Sequence, residues 1–168
     1  KQYPKSSVII MPSDHFIANK SLFKKDIKKA ILFVEKYSWF LFGVSPSSPA
    51  TGYGYIKCIG KSNIKKIKYF IEKPNLTKAK KLIKNPEIFW NSGIFLGKAE
   101  KLLNSINNYN SNIYNKSVIA WKNRRKQSDN NFTLKKDFLK SIQNISIDKS
   151  VLEKETSKAL VLLSTEWS

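Results

Sequence analysis

Apolar and polar positions fall into alternating blocks along the chain. Ser7 to Met11 is a short apolar run that empties into Pro12-Ser13-Asp14-His15, the pattern of a buried strand ending in a loop. Asn19 then offers a helix cap. Behind it Leu22, Phe23, Ile27, Ala30, Ile31 and Val34 recur at three- and four-residue spacing, with lysines between them facing water. Trp39 to Val44 reads as a second strand, and Ser45 to Gly54, with two prolines and two glycines, as a loop. Tyr55 to Ile59 and Ile64 to Ile71 follow as strands on either side of a Gly60 to Asn63 turn, and a helix runs from about Leu76 to Lys84. Ile88 to Gly97 is strand-like again. Lys98 to about Arg125 reads as helical with a break near Asn107 to Asn112, and another helix lies near Leu134 to Ser141. Ile145 to Ile147 and Ala159 to Leu163 give strand signals around a short helix near Lys149 to Glu155. Strands and helices alternate almost throughout, which predicts an α/β fold.

The 168 residues suit one domain able to bury roughly 70% of its unfolded surface. No run approaches the roughly 18 to 20 uninterrupted apolar residues of a membrane span, and Lys1 to Lys5 shows no secretory signal, so the expected location is cytoplasmic and no membrane partner is expected. The single cysteine, Cys58, sits in an alternating apolar run and reads as a buried thiol. A formal charge of +19 would ordinarily suggest nucleic acid. Only Arg124 and Arg125 among the 31 basic residues carry a guanidinium, however, and no clustering of Arg with aromatic residues is evident in the sequence. Lys, Asn and Ile together supply 63 residues, the bias left by A- and T-rich codons, so no nucleic-acid partner is expected.

Candidate chemistry lies in four segments at predicted strand ends, where open α/β sheets place their ligands. Asp14 stands just past the first strand, positioned to hold a divalent cation that a phosphate can share; a loop-capping role is the alternative. The stretch Ser48-Pro49-Ala50-Thr51-Gly52-Tyr53-Gly54-Tyr55 lets backbone N–H groups approach a ligand, or is a plain turn. In Phe70-Ile71-Glu72-Lys73-Pro74 a carboxylate and an ammonium stand side by side. Adjacent strand residues point to opposite faces, so both can serve one ligand only if the strand ends there and the chain twists; otherwise they are an exposed charge pair. Asn91, within Phe89-Trp90-Asn91-Ser92-Gly93-Ile94-Phe95-Leu96, is a buried amide needing partners, supplied by backbone or by a bound hydroxyl.

The order of these segments, followed by Ser146-Ile147-Asp148, Glu153-Lys154 and Glu166-Trp167-Ser168, closely resembles bacterial mannose-1-phosphate guanylyltransferases from Val8 to Ser168. The resemblance implies a nucleotide-diphospho-sugar transferase fold: Rossmann-like, a mixed and mainly parallel sheet with helices on both faces, incomplete at both ends. Residues 1–168 would be the central part of one nucleotidyltransferase catalytic domain. It implies formation of GDP-mannose and pyrophosphate from mannose 1-phosphate and GTP with Mg2+, so the partners are a sugar 1-phosphate and a nucleoside triphosphate, with a homo-oligomer allowed for a full-length protein.

Residue by residue, Asp14 matches the family's magnesium-binding aspartate and Lys73 the lysine near the phosphate, the two catalytic candidates. Thr51, Gly52, Tyr53 and Gly54 fall on its sugar-contacting loop. Glu72 and Asn91 match residues bonding sugar hydroxyls, and Asp148 a further substrate residue, although Lys149 replaces the tyrosine usual after it and the position also suits a helix start. Ala50 departs from the family's Pro-Glu-Thr-Gly, so any bond made by that glutamate is missing. Nothing matches the family's opening Gly-Gly-x-Gly-Thr-Arg-Leu segment, which holds the triphosphate; the expectation is slow or no turnover by this polypeptide alone, and an unpaired sheet edge. A relative acting on another sugar 1-phosphate, such as glucose 1-phosphate, is the nearer alternative reading, and a basic nucleic-acid-binding module the distant one.

Overall fold

The computed structural model describes residues 3–60, 62–129 and 131–168. Its contacts divide into two compact units, Lys1–Leu102 with Glu155–Ser168, and Leu103–Lys154.

The first unit is a sheet with helices against it. Strand β1 (Ser7–Ile10) leads through a loop to helix α1 (Lys20–Ile31). Asn19 caps α1 as its spacing predicts, its side chain accepting from the Ser21 and Leu22 amides at 3.0 Å; such a cap contributes about 1 kcal/mol. The buried stripe of α1, Phe23 and Ala30, continues to Val34 in the turn beyond. It packs on Phe40 and Phe42 of β2 (Trp39–Val44), Ile94 and Leu96 of β5 (Ile88–Lys98), and Ala159 and Val161 of β8 (Lys158–Leu162). Strands β3 (Tyr55–Ile59) and β4 (Ile64–Ile71) flank the expected turn, of which Lys61 lies outside the described residues. Helix α2 (Leu76–Leu82), capped by Asn75, buries Ala79 against Tyr55, Ile88 and Trp90. Cys58 is buried as expected, and burial pushes its thiol up to about 12, far from a nucleophile's range.

The sheet order is β1-β5-β2-β8-β4-β3, with β3 also pairing β5. The pairings from β5 through β2, β8, β4 and β3 therefore run in a closed, barrel-like ring. Among the described residues only β2 and β8 pair in parallel; β1–β5, β2–β5, β3–β4, β3–β5 and β4–β8 are antiparallel. This corrects the expectation of an open, mainly parallel Rossmann-like sheet sandwiched between helices. The α/β order holds, but periodicity shows which segments are strands and not the direction in which they pair.

A second correction concerns β1. It was expected to be buried, yet Ile9, Ile10 and Met11 are exposed, because among the described residues β1 pairs with β5 alone and forms the sheet edge. No helix among the described residues is long and apolar enough to cross a membrane.

Helix α3 (Ala99–Tyr109) leads out of the first unit. The predicted break falls at Asn110, whose side chain accepts from the Ile113 amide at 3.2 Å and caps α4 (Ser111–Lys122). A hairpin of β6 (Arg125–Ser128) and β7 (Asn131–Thr133) follows; its residues carry no predicted strand, and Asn130 lies outside the described residues. Here the fold builds a cluster of Arg with aromatic residues that is not evident from the sequence. The Arg124 guanidinium lies 4.1 Å from the Trp121 ring centroid and 4.8 Å from that of Phe132, and donates to the Trp121 carbonyl at 2.8 Å. It stacks the hairpin on α4. Helix α5 (Lys136–Lys140) is shorter than predicted, and residues 145 and 146 are irregular and Ile147 helical instead of extended, leading into a π-helical turn at Asp148–Leu152.

Candidate active site

Three of the predicted site residues meet on one rung of the sheet. Strand β3 lies between β4 and β5, with Tyr55 opposite both Ile71 and Trp90. One step further along, Gly54 therefore faces Glu72 on one side and Asn91 on the other. The Asn91 amide donates to the Gly54 carbonyl at 2.8 Å. A Cβ built on Gly54 would lie 2.8 Å from Glu72 Oε2 and 2.7 Å from Phe70 Cζ, so the missing side chain is what admits the carboxylate. The Glu72 side chain is 8% exposed and Asn91 is buried to the same degree, an environment in which a polar group bonds strongly and selectively.

Strand β4 ends at Ile71, and Lys73 adopts φ +43°, the left-handed region that a residue with a Cβ enters at a cost of about 1–2 kcal/mol. The chain thus turns where the sequence requires it to turn if Glu72 and Lys73 are to serve one ligand. Lys73 Nζ lies 3.9 Å from Glu72 Oε1, at the outer limit of an ion pair, and its side chain is largely exposed. That leaves the ammonium available to an incoming anion.

The Asp14 loop reaches the same rung through Gly93. Asn91 Oδ1 accepts from the Gly93 amide at 3.2 Å, and Gly93 takes φ +73°. A Cβ there would lie 3.4 Å from Pro12 Cγ and 3.8 Å from His15 Cε1. Asp14 itself is exposed, and among the described residues its carboxylate has no hydrogen-bond or ion-pair partner. No group of three or more His, Cys, Asp or Glu able to hold a metal occurs among the described residues. One free carboxylate suits magnesium, which commonly takes one or two carboxylates and fills its remaining positions with water and phosphate oxygens.

Thr51 and Gly52 are exposed, and nothing lies within 4 Å of a Cβ built on Gly52, so the tip of this loop has room for a ligand. Tyr53 is fixed by its ring, 5.0 Å from Trp90 and 5.4 Å from Trp167. Asp148 belongs to the second unit, where its carbonyl accepts from the Glu153 amide across the π-helical turn. A cavity of about 570 Å³ bordered by Leu32, Phe33, Tyr37 and Ile59 is lined by none of these residues. It contains no acidic group, and the convergence at Gly54 is the better guide to chemistry. Sequence reasoning overlooked Gly93 and the ring contacts of Trp167: the WNSG and EWS stretches marked both positions, but nothing in them indicated their partners.

A model of the nucleotidyl transferase family matches residues 1–162, and the chain belongs to that family. It is 33% identical over 162 residues to the xanthan biosynthesis protein XanB of Xanthomonas campestris, covering 96% of this chain and 34% of that protein. It is 31% identical over 167 residues to a mannose-1-phosphate guanylyltransferase of Escherichia coli, with coverages of 96% and 36%. The chain thus spans about a third of the length of these relatives. Among solved structures, a mannose-6-phosphate isomerase from Helicobacter pylori superposes with a TM-score of 0.90 at 28% identity, over 98% of this chain and 65% of that one. The resemblance seen in the sequence motifs is therefore borne out as kinship with nucleotidyltransferases that include mannose-1-phosphate guanylyltransferases.

Proposed function

We propose that the chain carries the sugar-1-phosphate site of a mannose-1-phosphate guanylyltransferase. The reaction such an enzyme carries out would join mannose 1-phosphate and GTP into GDP-mannose and pyrophosphate. The sugar phosphate oxygen attacks the α-phosphorus and pyrophosphate leaves, so no covalent bond to the enzyme forms. Two anions must be brought together, and the protein's work is alignment and charge neutralisation. Glu72 and Asn91 hold sugar hydroxyls, the Thr51–Gly54 loop presents its backbone to the sugar, and Lys73 faces the phosphate. Asp14 would hold Mg2+, which when bound neutralises phosphate charge. Asp148 serves as a further substrate contact on family resemblance alone.

The observation that carries this reading is the seating of the Glu72 carboxylate against Gly54, whose carbonyl takes the Asn91 amide. A largely buried carboxylate next to a side-chain amide, with an exposed ammonium one residue away, suits a ligand that combines hydroxyls with a phosphate. Mannose over glucose rests on the likeness to relatives named for mannose. Calorimetric titration of the chain in magnesium tests both parts. Mannose 1-phosphate should bind about tenfold more tightly than glucose 1-phosphate, the worth of one well-placed hydroxyl bond. A preference for glucose 1-phosphate reassigns the sugar, and heat from neither ligand overturns the site.

A further inference from the structure

Segment 164–168 runs beside the loop that carries Asp14. Ile17 and Trp167 form an antiparallel bridge; the Phe16 amide donates to the Ser168 carbonyl at 2.8 Å, and the Ala18 amide to the Glu166 carbonyl at 3.2 Å. The Asn19 amide adds a bond to Thr165 Oγ1 at 2.8 Å. From this backbone Trp167 reaches two loops at once. Its Nε1 donates to His15 Nδ1 at 3.0 Å, with the rings edge to face at 5.1 Å, and its ring also contacts Tyr53. Tyr53 in turn rests on Trp90, the residue before Asn91. One indole thus joins the neighbour of Asp14 to the loop that ends at Gly54, although the three segments are far apart in sequence.

We infer that Trp167 is a positioning residue, which fixes the Asp14 loop and the Thr51–Gly54 loop relative to one another through its bond to His15 and its ring contact with Tyr53. This rests on the sugar-phosphate reading of the site. The hydrogen bond requires Nδ1 of His15 to be unprotonated, so it also selects the tautomer and turns the imidazole. With both loops held by one side chain, the ordering cost for a cation at Asp14 and for a sugar at residues 51–54 is shared. Each ligand then strengthens the other beyond their direct contact.

Two measurements on the purified chain test this. Without ligand, amide chemical shifts and hydrogen exchange at residues 51–54 should change in His15→Ala, which leaves the Trp167 N–H without its acceptor. His15→Asn, which keeps an acceptor near Nδ1, should restore them. In titrations with mannose 1-phosphate, Trp167→Phe keeps a ring for Tyr53 but loses the N–H. The enhancement of affinity by magnesium should fall about fivefold, a larger change than that in affinity without magnesium. A Trp167→Phe chain that retains the full magnesium enhancement, or His15→Ala that leaves residues 51–54 unmoved, overturns the positioning role and leaves the site intact. A wild-type chain that binds no sugar phosphate although the loops respond to each other overturns the site reading and leaves the link through Trp167 standing.

Discussion

Asp26→Ala is expected to destabilise the first unit by about 3 kcal/mol. Asp26 is fully buried in α1, and both its oxygens are used: Oδ2 accepts from the Ser164 amide at 2.7 Å, and Oδ1 from Ser164 Oγ and Lys29 Nζ at 2.8 Å. Hydrogen bonds to a charged group contribute about 1.5–3 kcal/mol each. Lys29 is partly exposed and its share is small; the two Ser164 bonds carry most of the effect. Their loss also frees the start of the segment that holds Trp167. Urea unfolding should show a lower midpoint at unchanged slope, with Asp26→Asn intermediate. A midpoint within error of wild type would show that the carboxylate only compensates for its own burial.

Gly54→Ala carries the largest expected effect on binding. The added methyl would stand 2.8 Å from Glu72 Oε2 and 2.7 Å from Phe70 Cζ, so the carboxylate or the ring must move. Overpacking of this kind costs about 1–3 kcal/mol in stability. The displaced carboxylate should lower affinity for mannose 1-phosphate at least about tenfold, the worth of a charged hydrogen bond. Gly52→Ala is the matched comparison: with open space around it, stability should stay within about 0.5 kcal/mol. Unchanged sugar-phosphate affinity in Gly54→Ala would remove Glu72 from the ligand's reach.

The sequence disclosed most where a local rule operates alone. The cap at Asn19, the helix break within Asn107 to Asn112 and the apolar stripe of α1 are local features, and all appear in the fold. Pairing direction does not follow from such spacing, which is why a ring with one parallel pair stood behind an order of elements that suggests a parallel sheet. The β6–β7 hairpin was hidden for another reason. Its residues are exposed on every side, and RKQS and NFT show no alternation to read. The Ile145 to Ile147 signal failed because two isoleucines around a serine fit a strand equally well as the approach to a helical turn.

The candidate site was legible as four motifs and illegible as an arrangement. That Glu72 and Lys73 need a bend between them was evident from strand geometry, and the positive φ of Lys73 supplies it. That Gly54 makes room for Glu72, or that Trp167 bonds a histidine 152 residues away, depends on which strands become neighbours. Motif order along the chain holds no record of such contacts.

The central claim is that these groups serve one ligand, and mapping amide chemical shifts by NMR during titration with mannose 1-phosphate and magnesium tests it most directly. One continuous set of perturbed residues is expected, 13–16, 51–55, 72–73 and 91–93, saturating together at a single affinity. Perturbations confined to one of these segments, or scattered over the lysine-rich surface with no saturation, would contradict it.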